Sequence, residues 1–324
     1  MPAMMNVLIV RTSSMGDLIH TWPALTELKT HYPNLSLTWL VEDAFADIAA
    51  LHPAVVRVIP FSWRRWRRAP FSPSTWREVR ACKAALSSGG WDQVVDLQGL
   101  VKSAIPARWG RAPLAGYDRK SIREPLACLF YDKTYAASWQ LPAVERCRRL
   151  LSQVFGYRAD GAPRFGVPAP EKPTAAPADP YVVLLHATSR DSKLWPEPHW
   201  IALGKRLAEA HGWRAVLPWG NAKERARAER LAAALPGALV PERMSLRDAA
   251  GLLGHAEAVV GVDTGLLHLA NALDVPLVGI YTDTDPASTG VIETVRSANL
   301  GGERQCPDVD TVYRTLMAMH GAPR

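Results

Sequence analysis

Short β-branched apolar runs alternate with longer helical patterns along almost the whole chain, and one proline-rich stretch interrupts them. That rhythm narrows the possible folds more than any other feature. Apolar runs at residues 7–10, 35–41, 55–60 and 93–97 precede the interruption, with helical patterns such as 76–86 and 142–154 between or after them. Runs at 181–186, 214–218, 258–262 and 277–281 follow it, alternating with helical patterns at 198–210, 222–235, 246–253 and 266–273. Strand and helix in alternation predict parallel sheets with helices on both faces. Pro163, Pro168, Pro170, Pro173, Pro177 and Pro180 forbid a continuous helix or central strand through the interruption. We therefore expect two α/β domains, 1–162 and 181–324, joined by a linker at 163–180 and facing each other across a cleft. A closing helix at 309–319 is free to pack back on the first domain. No sequence repeat relates the halves.

Composition enters as a bound on partners and location. The chain has 324 residues, more than one typical domain, and its 48% hydrophobic content supports a proper core. No apolar run reaches membrane-span length, and no basic region followed by an apolar stretch and a cleavage site opens the chain, so a cytoplasmic location is expected. Met1, Met4 and Met5 offer alternative starts. Cys82, Cys128, Cys147 and Cys306 are scattered without a Cys-x-x-Cys pair, which argues against a zinc site or disulfide framework. The net charge of +7 favours acidic partners, leaving nucleic acid, anionic lipid and phosphorylated substrates open.

Four segments carry chemistry-bearing residues. In the first, the strand at 7–10 breaks into Thr12, Ser13, Ser14 and Gly16, then restarts as a helix with Leu18, Trp22 and Leu25 on one face. Asp17 stands at the edge where open α/β sheets bind ligands; it suits a base, and equally a helix cap. In the second, Val259 to Asn271, a strand ends at Val262 and Thr264 can cap the next helix. The amides of Thr264, Gly265 and Leu266 there form an anion seat flanked by Asp263 and His268, or else an ordinary capped helix with His268 in the core. The third, His186 to Trp200, offers the Thr188 and Ser189 hydroxyls and the Lys193 ammonium, again beyond a strand, in a loop that could equally be only solvated. The fourth sets Arg64, Arg65, Arg67 and Arg68 beside Trp63 and Trp66, a pattern suited to phosphate, an anionic membrane or single-stranded nucleic acid. Asp283 and Asp285 form an Asp-x-Asp pair, better read as a turn before Pro286 than as a metal site, which needs further oxygen ligands.

Together these segments resemble a known family. Thr12-Ser-Ser-Met-Gly-Asp17, Asp96-Leu-Gln-Gly-Leu-Val-Lys-Ser103, Arg123-Glu-Pro-Leu-Ala127, His186-Ala-Thr-Ser-Arg-Asp191, Leu217-Pro-Trp-Gly220 and Val262-Asp-Thr-Gly-Leu-Leu-His268 occur in the same order in the lipopolysaccharide heptosyltransferase I family of glycosyltransferase family 9. The likeness runs from about Asn6 to Pro286. It implies a GT-B fold of two Rossmann-like domains, the first binding acceptor and the second binding an ADP-sugar. The implied reaction is inverting transfer of heptose from ADP-L-glycero-beta-D-manno-heptose to the inner Kdo of Kdo2-lipid A.

By the same resemblance Asp17 is the catalytic base. Thr188, Ser189, Lys193, Thr264, Gly265 and Leu266 match the diphosphate side, while Asp263 and His268 lie near the donor sugar and phosphate. Glu224 matches a ribose-binding carboxylate and Met244 an adenine contact. Arg64, Arg65, Arg67, Arg68 and Arg123 match a basic acceptor surface. The implied enzyme uses no cofactor and no metal, binds no nucleic acid, and works as a monomer on the cytoplasmic face of the inner membrane. Two segments depart from the pattern. Thr282-Asp283-Thr284-Asp285-Pro286 replaces Gly-Pro-Thr-Asp-Pro, and Ser189 replaces Thr, keeping the hydroxyl. The rival readings are another ADP-sugar transferase of the same fold with a different acceptor, and a basic protein binding nucleic acid or anionic lipid. A Rossmann dehydrogenase is disfavoured because no Gly-x-Gly-x-x-Gly follows the first strand.

Overall fold

A computed structural model describes residues 5–323; the alternative starts at Met1 and Met4 fall outside them. The chain divides between Val167 and Pro168 into two compact units, and no strand or helix occurs between Phe155 and Tyr181. The first unit contains strands β1 (Met5–Val10), β2 (Leu35–Glu42), β3 (Val55–Phe61), β4 (Gln93–Asp96), β5 (Leu114–Tyr117) and β6 (Lys133–Tyr135). They form one sheet in the order β3-β2-β1-β4-β5-β6, with every pairing parallel. Val7, Leu8, Ile9 and Val10 are fully buried. A central strand covered on both faces has no solvated side, which is why this one reads as a continuous apolar run. On one face Leu8 and Val10 pack with Leu40, Ile59, Phe61, Leu86 and Val94.

The second unit contains β7 (Tyr181–Leu185), β8 (Arg214–Val216), β9 (Ala258–Val262), β10 (Leu277–Tyr281) and β11 (Ser297–Gly301), paired in parallel in the order β11-β10-β9-β7-β8. Its core joins Val182, Leu184, Trp195, Trp200, Val260 and Ile280. The closing helix, Val309–His320, sinks Val312 and Leu316 into that same core and packs on β10, β11 and the helix Glu197–His211.

Both strand orders are doubly wound, and in each the direction of winding reverses beside the first strand. In the first unit this switch point lies between β1 and β4, and in the second between β7 and β9. Loops leaving the carboxyl ends at such points are where open α/β sheets bind ligands. Two local differences from the sequence reading bear on the site. The helix after β1 is broken into Met15–Ile19 and Trp22–His31, the second piece carrying Pro23 in its first turn, where a missing N–H costs nothing. The Arg–Trp segment folds as a short helix, Trp63–Arg68, directly after β3.

Candidate functional site

At the first switch point Asp17 occupies the third position of the helix Met15–Ile19, and its carboxylate is held from two sides. Oδ2 accepts from the Ser14 backbone N–H and from the Ser14 hydroxyl, both at 2.9 Å. Oδ1 accepts from Arg11 Nη2 at 2.9 Å. Asp17 therefore does reach back to the helix start as a cap, but only with one oxygen. Burial alone would raise its pKa; the Arg11 charge and the two Ser14 bonds outweigh this and hold it at about 2. Arg11 is itself buried, and its Nη1 donates to the Leu97 carbonyl at 2.7 Å and to Cys147 Sγ at 3.3 Å.

The loop after β4 clamps the loop after β1. Gln98 Oε1 accepts from the backbone N–H of Thr12 at 2.9 Å and of Ser13 at 3.1 Å. Gln98 is positioned by fully buried Asp96, whose Oδ1 accepts from Gln98 N at 2.8 Å and whose Oδ2 accepts from the Ser103 and Tyr131 hydroxyls, each at 2.8 Å. Burial still raises the Asp96 pKa despite these donors. Gly99 follows with φ of +70°, and a Cβ there would stand 2.9 Å from the Ile122 side chain. Arg11 was not singled out in the sequence, and Asp96 and Gln98 stood there only within a shared motif, with no role given to either. Their signal was positional: Arg11 and Gln98 are the first and second residues beyond the two strands that flank the switch point.

The basic cluster divides. Arg65 is tied to Asp43 at 3.3 Å and to Glu78 at 2.8 Å, and Glu78 also accepts from the Trp66 indole. Arg64, Arg67 and Arg68 are exposed and carry no ion pair among the described residues, although Arg64 lies over the Phe45 ring at 5.7 Å. Its backbone N–H donates to Glu42 Oε1 at 3.0 Å, and Glu42 N in turn donates to the Thr12 carbonyl at 3.1 Å. The start of the arginine helix is thus joined to the loop that precedes Asp17. Arg123 is exposed beside Glu124, whose N–H donates to the Gly99 carbonyl.

In the second unit the loops after β7 and β9 meet through Asp263. Lys193 Nζ lies 2.6 Å from Asp263 Oδ2, the Thr284 hydroxyl donates to the same oxygen at 3.1 Å, and the Thr188 hydroxyl donates to the Asp263 carbonyl at 2.7 Å. Thr264 occupies the N-cap position of the helix Gly265–Ala272, but its hydroxyl makes no capping bond. The capping assigned to it from sequence is therefore positional only, and the first-turn amides of Gly265 and Leu266 are not taken by that side chain. His268 is buried on this helix, and Ser189 is exposed.

Glu224 is engaged locally, accepting from Gly220 N at 2.7 Å and from Asn221 Nδ2 at 2.7 Å at the start of the helix Ala222–Ala233. Met244 lines a groove of about 450 Å³ with Lys172, Pro173, Arg243 and Arg247. His186, unassigned beforehand, is buried at the end of β7, where burial and then the Arg227 charge lower its pKa to about 4. Asp285 caps the turn Pro286–Thr289 and Asp283 accepts from Ser192, so both oppose the plain picture of a free Asp-x-Asp pair. Among the described residues no group of three or more His, Cys, Asp and Glu converges.

The chain is similar throughout to known transferases. The profile described as "Glycosyltransferase family 9 (heptosyltransferase)" matches residues 79–315. Lipopolysaccharide heptosyltransferase 1 of Pseudomonas aeruginosa is 45% identical over 93% of this chain and 85% of its own length, and that of Escherichia coli K12 is 45% identical over 88% and 90%. The structure of E. coli heptosyltransferase WaaC with ADP superposes with a TM-score of 0.90 at 40% identity, covering 97% of this chain and 99% of that chain. The E. coli heptosyltransferase II structure, at 20% identity, shares the fold with a TM-score of 0.75 over 98% of each chain. The chain belongs to glycosyltransferase family 9, the heptosyltransferases, and has their GT-B type of fold.

Proposed function

We propose that the chain transfers L-glycero-D-manno-heptose from ADP-heptose to the inner Kdo of Kdo2-lipid A, with inversion at the anomeric carbon, in lipopolysaccharide core biosynthesis. The observation that carries this reading is the 45% identity to heptosyltransferase 1 over nearly the whole chain. The donor assignment is supported by likeness to WaaC structures described with ADP and with ADP-2-deoxy-2-fluoro heptose, the latter at a TM-score of 0.86. The enzyme works as a monomer, in the cytoplasm and peripherally at the inner membrane. No helix among the described residues is long and apolar enough to cross a membrane.

Asp17 takes the proton of the attacking Kdo hydroxyl while that oxygen bonds to the anomeric carbon and the bond to the diphosphate breaks, its electron pair leaving with ADP. Held at about 2, Asp17 is a weak base that is always ionised at neutral pH. Such a base suffices when the proton moves late, after the hydroxyl oxygen has begun to bond and become acidic. The leaving diphosphate is stabilised by the first-turn amides at Thr264, Gly265 and Leu266, by the Thr188 and Ser189 hydroxyls, and by Lys193. Asp263 parks Lys193 until the diphosphate enters; with His268 it borders the donor sugar. Glu224 takes the ribose and Met244 the adenine. Arg64, Arg67, Arg68 and Arg123 meet the acceptor's phosphates and carboxylates, with Arg65 bracing the short helix from its acidic partners. No metal and no cofactor is assigned to the reaction.

Replacing Asp17 with Asn tests the assignment. Transfer from ADP-heptose to Kdo2-lipid A should fall by about 10²–10⁴-fold with the thermal midpoint retained. Near-normal turnover in the folded variant sinks the role of Asp17, and absence of transfer by the natural chain sinks the reading as a whole.

A further inference from the structure

Beside the arginines assigned above to the acceptor, the first unit carries an apolar surface to which the transfer chemistry gives no role. Between the helices Pro73–Ser87 and Val101–Arg108 lies a groove of about 480 Å³, walled by Trp63, Trp66, Trp76, Ile105 and Trp109, with Arg67 and Lys102 contributing to its lining. Trp76 and Ile105 in its walls are 53% and 41% exposed, and Phe71, next in the chain to the lining residue Pro70, is 92% exposed. Of the large apolar side chains exposed among the described residues, all but Val295 belong to this unit. A contiguous aromatic patch of this kind on one unit marks a contact surface.

Two properties say what it contacts. The cations beside it, Arg64, Arg67 and Arg68, make no side-chain ion pair among the described residues, and with Lys102 they outnumber the nearby Glu42, so the patch presents net positive charge around apolar tips. The aromatics are also pre-set. Phe61 stacks on Trp63 with centroids 6.1 Å apart and meets Trp66 edge-on at 5.1 Å, while Glu78 fixes the Trp66 indole. Apolar tips, half-exposed tryptophans and surrounding arginines are the sequence of groups met on entering an anionic bilayer from water.

We propose that Phe71, Trp76 and Ile105, ringed by Arg64, Arg67, Arg68 and Lys102, form the face by which this protein docks onto an anionic lipid bilayer. The proposal deepens the reading above, in which the acceptor is a membrane glycolipid, by naming the docking surface.

Flotation of the full chain with phosphatidylcholine vesicles, with and without phosphatidylglycerol, tests it apart from catalysis. The natural chain should bind the phosphatidylglycerol vesicles and release from them as salt rises. Phe71→Ser with Trp76→Ser should lower that partition by at least about tenfold without moving the thermal midpoint. Phe71→Ser alone, which removes almost no packing, should give an intermediate loss. Equal binding by the variants overturns the proposal, as does equal binding to neutral vesicles or no vesicle binding at all. Vesicle binding without heptosyl transfer to a water-soluble deacylated acceptor would leave the docking face standing and defeat only the transferase reading.

Discussion

At the carboxyl edge of the first sheet a carboxylate meets a guanidinium at 2.9 Å, and at that of the second a carboxylate meets an ammonium at 2.6 Å. The surroundings of the two pairs differ more than the distances. Arg11 spends its other nitrogen on the Leu97 carbonyl and on Cys147, so it cannot leave Asp17 without breaking three contacts at once. Lys193 sits on the short turn Asp191–Lys193 at the end of a flexible stem, and Asp263 is its ion-pair partner. A rigid planar cation makes a fixed mount; a mobile point charge makes a latch. The first pair is suited to holding a base still, and the second to handing a cation over to an incoming diphosphate.

Substitutions can break that contrast. Lys193→Ala should have the larger effect, lowering kcat by about 10²-fold and raising the donor KM, because it removes a cation from the leaving group. Arg11→Lys should lower kcat by about tenfold through lost positioning and leave the donor KM unchanged. Similar changes in the same parameter for both variants would show that the pairs do one job. A subtler separation comes from pH. Arg11→Met removes the largest influence that lowers the Asp17 pKa, so it should rise from about 2 toward the ordinary carboxylate value near 4. Because the base must be ionised, the acid limb of the kcat profile then moves upward, whereas Lys193→Ala leaves it in place. An unmoved limb in Arg11→Met would separate Arg11 from the basicity of Asp17.

The smallest expected effect is one in which the units behave alike. His52 in the first and His186 in the second are buried, and burial first of all lowers each pKa from 6.5 to about 4. His52 Nδ1 accepts from Ala54 N at 3.1 Å and its Nε2 faces the Thr26 hydroxyl at 3.0 Å, an arrangement that suits a neutral ring. The unfolded chain binds these protons first, so stability is constant above pH 6.5 and declines as pH falls toward 4. The loss is on the order of 2–3 kcal/mol per histidine. Urea midpoints across that window should fall for the natural chain and flatten partly in His186→Gln; an unchanged slope would remove His186 from the account.

The sequence made the sheet rhythm legible because fully buried parallel strands are written as unbroken apolar runs. The strands at 258–262 and 277–281 agree to the residue with β9 and β10. What escaped was short or polar. β5 is Leu-Ala-Gly-Tyr, with Gly116 pressed against the Tyr131 ring, and β11 is Ser-Ala-Asn-Leu-Gly. Neither has the β-branched content that marks a strand. Asp17, Lys193 and Asp263 could be put forward as candidates because each stands in a local motif. The contacts of Gln98 and Arg11 could not be read, since Gln98 acts through Thr12 and Ser13, and Arg11 through Leu97 and Cys147, far off in sequence. The division of the arginines was hidden for a related reason: which of four neighbours finds an acid depends on the helix they form and on Glu78 in the next one.

The Gln98 clamp has a consequence for how such an enzyme can diversify. One amide oxygen serves the backbone of two residues in the loop ahead of Asp17, and it depends on Asp96 below it. A descendant with a new acceptor cannot reshape that loop piecemeal, because loosening either end releases both. Keeping Asp17 in place therefore carries with it the whole β1–β4 loop pair, and change is channelled to side chains that Gln98 does not hold.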